Sequence, residues 1–379
     1  MDTVETDAAQ MMGRRYDTID RPEVRAAMDA LSRPLSGYLA GQERGGFYVQ
    51  ALEDAWAETF QVKHAIATNS ATSGLMAAAF AAELKHGDKF SVSPITMTAT
   101  AAAPMFTGAY PVFCDVEDET FGYDELVLGS TVKATFVTNM FGHPARLERQ
   151  RRQCDQLGRV MIEDNAQAPF AMEGGAYAGT IGHIGVFSLN VHKHFHCGEG
   201  GVVVTDNADY ADAMRAFINH GEHMSFEIGL NLRMPEICAA IALVQLQKGL
   251  GLVEDRRLQA EAIIAAIGEV PGIRMPIVRE GCTHSFYIIP FLIEHGRTFF
   301  CEHLRAAGVP IVEGYQQPLY RMPAFSRMKR KDGCPIAEGL EDRRLFHIEN
   351  CAATFSKDEI KRIGDAFRRA ADAHASCRI

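Results

Sequence analysis

The chain has 379 residues, with 38 Lys and Arg against 48 Asp and Glu and a formal net charge of −10. At about 150 residues per domain, that length suggests two domains. Hydrophobic residues at 47% and charged residues at 23% exclude intrinsic disorder, collagen and coiled coil. The acidic balance argues against a nucleic-acid partner, which needs clustered Lys and Arg.

Residues 1–16 carry Asp2, Glu5 and Asp7 and no apolar core, so no signal peptide is expected. Trp56, in an apolar run, reads as core. From residue 62 to 206, short β-rich runs alternate with helical stretches. Strands are expected at 65–68, 90–92, 111–115, 134–139, 160–163, 186–188 and 202–205, with helices at 73–84 and 147–156. The 25 residues 90–114 are uncharged and broken by Pro94, Pro104 and Pro111. They read as strand, turn and helix rather than a membrane span. The alternation implies an α/β fold with a mostly parallel central sheet flanked by helices. Apolar spacing at Ile237, Ala240, Ile241, Val244 and Leu250 predicts a long helix over 235–257. Strands at 273–277 and 285–293 and helices at 298–307 and 357–374 follow. They suggest a smaller α+β domain, 251–379, after a large one, 1–250.

The nine cysteines are scattered, with no two within four residues of each other. That spacing suits neither a zinc site nor a disulfide framework, and points to reduced thiols in the cytoplasm. The basic run 327–331 reads as a solvated loop, with a phosphate or carboxylate contact as the alternative.

Three segments carry chemistry. In 185–206 a strand ends at Ser188, a polar loop holds Lys193, and Gly198, Gly200 and Gly201 precede another strand. Glycines this dense let backbone approach a ligand. A lysine between buried strands can be desolvated into a nucleophilic amine; a surface lysine in a glycine turn is the alternative. Asp164 sits where an apolar strand runs out into a loop, the end at which open α/β sheets bind ligands. It suits a protonated ring nitrogen, or it caps a helix. In 68–75, small polar residues lead into an Ala-rich helix whose N-terminus favours a phosphate, as any capped helix would.

Lysine, ring-pairing acid and phosphate cradle are the parts that hold pyridoxal 5′-phosphate. The chain also resembles the DegT/DnrJ/EryC1/StrS family of sugar aminotransferases, fold-type I enzymes that use this cofactor. The resemblance runs from about Ser36-Gly37 to the C-terminal helix. It is strongest at Lys193, five residues before Gly198-Glu199-Gly200-Gly201, with Val204-Thr205-Asp206 following. Asn69-Ser70-Ala71-Thr72, Gly87-Asp88, Glu163-Asp164-Asn165-Ala166-Gln167 and Asn231-Leu232-Arg233-Met234 support it.

The resemblance implies that Lys193 forms the internal Schiff base and shuttles the proton. It implies that Asp164 keeps the pyridine nitrogen protonated and that Gln167 lies beside the ring hydroxyl. Ala71, Thr72 and Ser188 match the phosphate cradle. Asn231 matches a residue that reaches the other active site of a homodimer. The implied reaction takes an amino group from glutamate or glutamine, through the pyridoxamine 5′-phosphate form, to a keto-sugar.

Where most members stack an aromatic ring on the cofactor, this chain has Ser93-Pro94-Ile95-Thr96-Met97, so Met97 would pack there. His192, His194 and His196 could share one face of an extended strand, a metal site with Cys197; no carboxylate has matching spacing, and no metal is expected. His194, His284, Tyr315 and Tyr320 are candidate substrate residues, with buried structural aromatics as the alternative for the last three. Some relatives replace the lysine by histidine and become dehydratases; the register from Gly198 places Lys193 on the lysine position and favours transamination. A non-catalytic sensor of this fold is the reading from another class.

Overall fold

The computed structural model describes residues 11–38, 44–123, 132–222, 228–328 and 333–376. Lys329, Arg330 and Lys331 of the basic run, and Cys377, lie outside them.

Seven strands build the main sheet: β1 His64–Thr68, β2 Lys89–Val92, β3 Tyr110–Phe113, β4 Val132–Thr138, β5 Val160–Asp164, β6 Ile184–Ser188 and β7 Gly201–Thr205. Their order is β1-β7-β6-β5-β4-β2-β3. Only β7 runs antiparallel, to both β1 and β6. Each lies within a few residues of its expected place, because short runs rich in Val, Ile and Phe suit a sheet covered on both faces. Neighbouring residues on one strand face opposite layers. Val203 packs with Val186 and Ile66 in one apolar cluster. Val202 and Val204 pack with Phe187, Ala65 and Ala67 in the other. Trp56 is fully buried in that second layer, 5.3 Å from the Phe60 ring. The uncharged stretch folds as β2, the Thr98–Met105 helix and β3.

The long helix spans Glu236–Ile267, ten residues beyond its expected end, and passes unbroken through residue 250. Its second half is held by buried groups: the Arg256 guanidinium donates to the carbonyls of Asn350 and Ala353, and Ile263 and Ile267 are core. By length and composition this helix could cross a membrane. Its buried Gln245 and Gln259 are instead hydrogen-bonded to other parts of the chain, as in a core helix.

A second, antiparallel sheet follows: β8 Ile273–Arg274, β9 Ile289–Ile293, β10 Ile311–Glu313 and β11 Leu345–Ile348, in the order β8-β9-β11-β10. The strand expected at 285–293 begins only at Ile289. Phe286 sits at φ 50°, and the N–H groups of Ser285 and Tyr287 donate to the carbonyls of Gly142 and Phe141, both at 2.9 Å. Those bonds pull 285–287 off the sheet and against the main sheet's carboxyl end. At the other end of the chain, Arg14–Arg15 pairs with Ala353–Thr354, and Met12 is buried among residues of this smaller sheet.

The final helix, Lys357–Ser376, docks through Gly364, where a Cβ would collide with the Ala266 carbonyl. Overpacking there predicts that Gly364→Ala destabilises the protein by about 1–3 kcal/mol. Gly251→Ala, on the same long helix but with open space around it, should be neutral or raise stability by about 0.5–1 kcal/mol. Chemical denaturation of the two variants checks the contrast.

Candidate functional site

β1 ends at Thr68, and the Ala71–Ala81 helix begins three residues later with Ser70 as its cap, the Ser70 hydroxyl accepting from Ser73 N at 3.1 Å. The N–H groups of Ala71 and Thr72 fall in the first turn and have no helical partner. The chain can start a helix this close to β7 only because position 201 is glycine: a Cβ there would lie 2.5 Å from Ala71 N. Ala71 and Thr72 line a cavity of about 300 Å³ at the carboxyl ends of the strands.

Asp164, the last residue of β5, is 4% exposed in the wall of this cavity. Its Oδ2 accepts the Thr100 hydroxyl at 2.6 Å and its Oδ1 accepts Ala166 N at 3.2 Å. Burial pushes the carboxyl above its usual range; the Thr100 bond, the Ala166 bond and the charge of Lys193 pull the other way. Glu163, beside it, is turned elsewhere and accepts the N–H groups of Gly179, Ile181 and Gly182.

Lys193 enters the same cavity from a loop pinned by Leu189 N to Gly200 O and Val191 N to Gly198 O, both at 2.9 Å. Gly198 supplies the turn at φ 90°. The Lys193 Nζ lies 4.5 Å from the centre of the Tyr287 ring. Desolvation lowers the ammonium below its ordinary range, against the opposing pull of Asp164.

The cavity gathers Ala71, Thr72, Met97, Asp164, Gln167, Ser188, Lys193 and Tyr315. Gln167 is held at both ends: its Oε1 accepts Phe141 N at 2.7 Å and its Nε2 donates to the Tyr315 hydroxyl at 2.9 Å. Met97 is 53% exposed at the cavity edge, as the residue preceding the Thr98–Met105 helix. The Ser188 hydroxyl accepts Asn190 N at 3.3 Å.

Four expected residues lie outside this cavity's wall. Asn231 is exposed on its own chain, with its Oδ1 accepting Arg233 Nε at 3.0 Å. His194 is fully buried with Nε2 against the Ser285 carbonyl at 2.9 Å, and burial pushes it down to about 3. His284 is buried and stacked on Phe286 at 3.9 Å. Tyr320 is buried against Phe113 and donates to Glu338 at 2.7 Å. The loop histidines therefore do not converge: His192 lines the cavity, whereas His194 points to Ser285. Among the described residues, no three His, Cys, Asp or Glu side chains are placed to hold a metal.

Sequence reasoning missed Thr100 and Tyr287. The alternation of Thr96, Thr98 and Thr100 through an uncharged stretch was the available signal for the first; Tyr287 lies in the segment 283–287 that resembles a substrate-side segment of the family, in which only His284 stands as a candidate. A second cavity of about 540 Å³ shares His192, Tyr287 and Tyr315 with the first and extends to Arg15, His196, His347 and Glu349. Burial pushes the His347 imidazole down to about 4, so it is neutral near pH 7.

The donor set of the cavity fits a phosphorylated pyridine: first-turn helix N–H groups, a serine hydroxyl, a buried carboxylate and a partly desolvated amine. The family model described as the DegT/DnrJ/EryC1/StrS aminotransferase family matches residues 38–368. The UDP-N-acetyl-3-dehydro-alpha-D-glucosamine 3-aminotransferase of Acidithiobacillus ferrooxidans is 30% identical over 305 residues, 78% of this chain and 82% of that protein. An aminotransferase structure from Psychrobacter cryohalolentis superposes with a TM-score of 0.85 at 25% identity, over 96% of this chain and 99% of that one. The E. coli GDP-4-keto-6-deoxy-D-mannose-3-dehydratase with bound hydrated PLP shares the fold, with a TM-score of 0.83 at 21% identity over 94% of this chain and 100% of that one. The chain belongs to the DegT/DnrJ/EryC1/StrS aminotransferase family, and its architecture is that of a fold-type I pyridoxal-phosphate transferase.

Proposed function

We propose that this chain, a pyridoxal-phosphate-dependent sugar aminotransferase, moves an amino group from glutamate or glutamine to a keto-sugar, with Lys193 as the amine that binds the cofactor and shuttles the proton. The observation that carries this reading is the placement of Lys193 and Asp164 in one cavity with Ala71 and Thr72 of a helix's first turn.

When bound, pyridoxal 5′-phosphate supplies the electron sink that stabilises charge left on the amino carbon after proton loss. The protein's part is to hold it and move protons. Ala71 and Thr72 N–H groups with the Ser188 hydroxyl would hold the phosphate. Asp164 would face the ring nitrogen, Gln167 would lie on the ring-hydroxyl side, and Met97 would cover a ring face. Desolvation lowers the Lys193 ammonium below its ordinary range, the direction that favours a nucleophile and general base. Both half-reactions use one cavity, so the same residues would hold the pyridoxal and pyridoxamine forms.

The larger cavity is the proposed seat of the acceptor. Tyr287 and Tyr315 offer ring faces, and the neutral His347 suits hydroxyl recognition. A nucleotide-linked keto-sugar and a sugar-acid aldehyde are the acceptor classes proposed. His194, His284 and Tyr320 support the walls rather than touch ligand in this reading. We propose a homodimer in which Asn231, exposed on its own chain, completes the partner's phosphate site. The proposed setting is cytoplasmic. The chain divides near residue 250 into two domains that share the Glu236–Ile267 helix.

Lys193→Ala is expected to abolish turnover and the visible absorption band of lysine-bound cofactor; retention of both would refute the assignment. Glutamate should yield 2-oxoglutarate together with an aminated sugar, whereas a dehydratase would release a deoxy sugar lacking nitrogen. For the shared site, Asn231→Ala should weaken cofactor binding. Refolding it together with Lys193→Ala should restore part of the activity, because one site of the mixed dimer receives both native residues. Recovery no greater than the sum of the separate variants would contradict sharing.

A further inference from the structure

We propose that Thr138, Thr96 and Thr100 form a one-way hydroxyl relay that holds Asp164 ionised, with Thr100 as the positioning residue for that acid; the inference rests on the reading of Asp164 as the partner of the ring nitrogen. Thr100 Oγ1 lies 2.6 Å from Asp164 Oδ2, Thr96 Oγ1 lies 2.9 Å from Thr100 Oγ1, and Thr138 Oγ1 lies 2.9 Å from Thr96 Oγ1. Thr96 and Thr100 are 0% exposed and Thr138 is 4% exposed.

The proton order follows from counting. A hydroxyl has one proton to give, and a carboxylate can only accept. With Asp164 ionised, Thr100 spends its proton on Oδ2 and so accepts from Thr96. Thr96 is then committed and accepts from Thr138. Every bond in the chain is made, and each donor is polarised by the next. Protonating Asp164 on Oδ1 leaves this order intact but turns Oδ2 into a neutral, weaker acceptor. A hydrogen bond to a carboxylate is stronger than one to a neutral carboxyl, and the two threonines behind Thr100 polarise its hydroxyl further, so the chain favours the ionised acid.

This bias answers a real opposition, because burial by itself drives Asp164 toward the neutral form. The titratable groups facing Asp164 are Lys193 from the glycine loop and Tyr315 from the smaller sheet's side. Glu163 is committed to the backbone of Gly179, Ile181 and Gly182. Asp164 Oδ1 carries only the 3.2 Å bond from Ala166 N, so acceptor capacity remains on that oxygen.

The test compares Thr100→Val, Thr100→Ser, Thr96→Val and Asp164→Asn. The readouts are the dissociation constant of pyridoxal 5′-phosphate from the apo-protein and the pH profile of kcat/KM, which reports groups of the free enzyme. Removing the donor raises the pKa of Asp164, so the acid limb should move to higher pH. A bond to a charged group predicts a displacement of about one pH unit and about tenfold weaker cofactor binding in Thr100→Val. Thr100→Ser should match the wild type, and Thr96→Val should show a smaller shift in the same direction. Wild-type affinity and an unmoved acid limb in Thr100→Val, with Asp164→Asn inactive, would overturn the relay while leaving the Asp164 assignment standing. Wild-type binding and turnover in Asp164→Asn would instead overturn that assignment, and the relay with it. If Thr100→Val does not fold, an unmoved limb in Thr96→Val is the contrary result.

Discussion

Asp164 is buried and Lys193 half-buried at the carboxyl end of the sheet, and each tempers what desolvation does to the other. Desolvation pushes the acid up and the amine down, each toward its neutral form. An unpaired buried charge is expensive, and a pair is tolerated only when its remaining bonds are satisfied. The acid meets that condition through Thr100 and Ala166 N. The lysine meets it through the opposing charge and the Tyr287 ring face. Asp164 sits on β5, between β4 and β6, so its position is set by hydrogen bonds on both sides.

The lysine is on a loop and needs other support. The Tyr16 hydroxyl donates to the His194 carbonyl, Gln245 accepts His196 N, and the His194 ring meets Ser285 O. Gln245 in turn is bonded to Thr18 and Glu23. Three separate parts of the chain thus fix two residues flanking or near Lys193: the N-terminal arm, the long helix and the segment before β9. The odd course of 285–287, off the strand and against Gly142, is what brings Tyr287 and Ser285 to the loop. Tyr315 then ties the smaller sheet's side to Gln167.

Much of this was legible in the residues. Short, continuously apolar β-rich runs marked all seven strands of the main sheet, since a sheet buried on both faces demands them. That Lys193, Asp164 and residues 71–72 would share one cavity was legible, because glycines, a strand end and a helix cap mark those positions locally. The strand at 285–293 was overextended because only tertiary bonds to Phe141 and Gly142 reveal its early break. The long helix was cut short because its last ten residues are held by Arg256 and the C-terminal core, contacts distant in sequence. Thr100 stayed hidden for the same reason: a threonine acquires its role from a carboxylate 64 residues away. Tyr320 and His284 looked like ligand groups by type, yet their polar atoms are engaged by Glu338 and Phe286 N.

Borohydride reduction of the cofactor-loaded protein, followed by peptide mass mapping, reports which amine holds the cofactor. The arrangement of the cavity predicts a single phosphopyridoxyl addition, on the peptide containing Lys193. Labelling of another lysine, or no covalent addition to protein that has bound the cofactor, would contradict it.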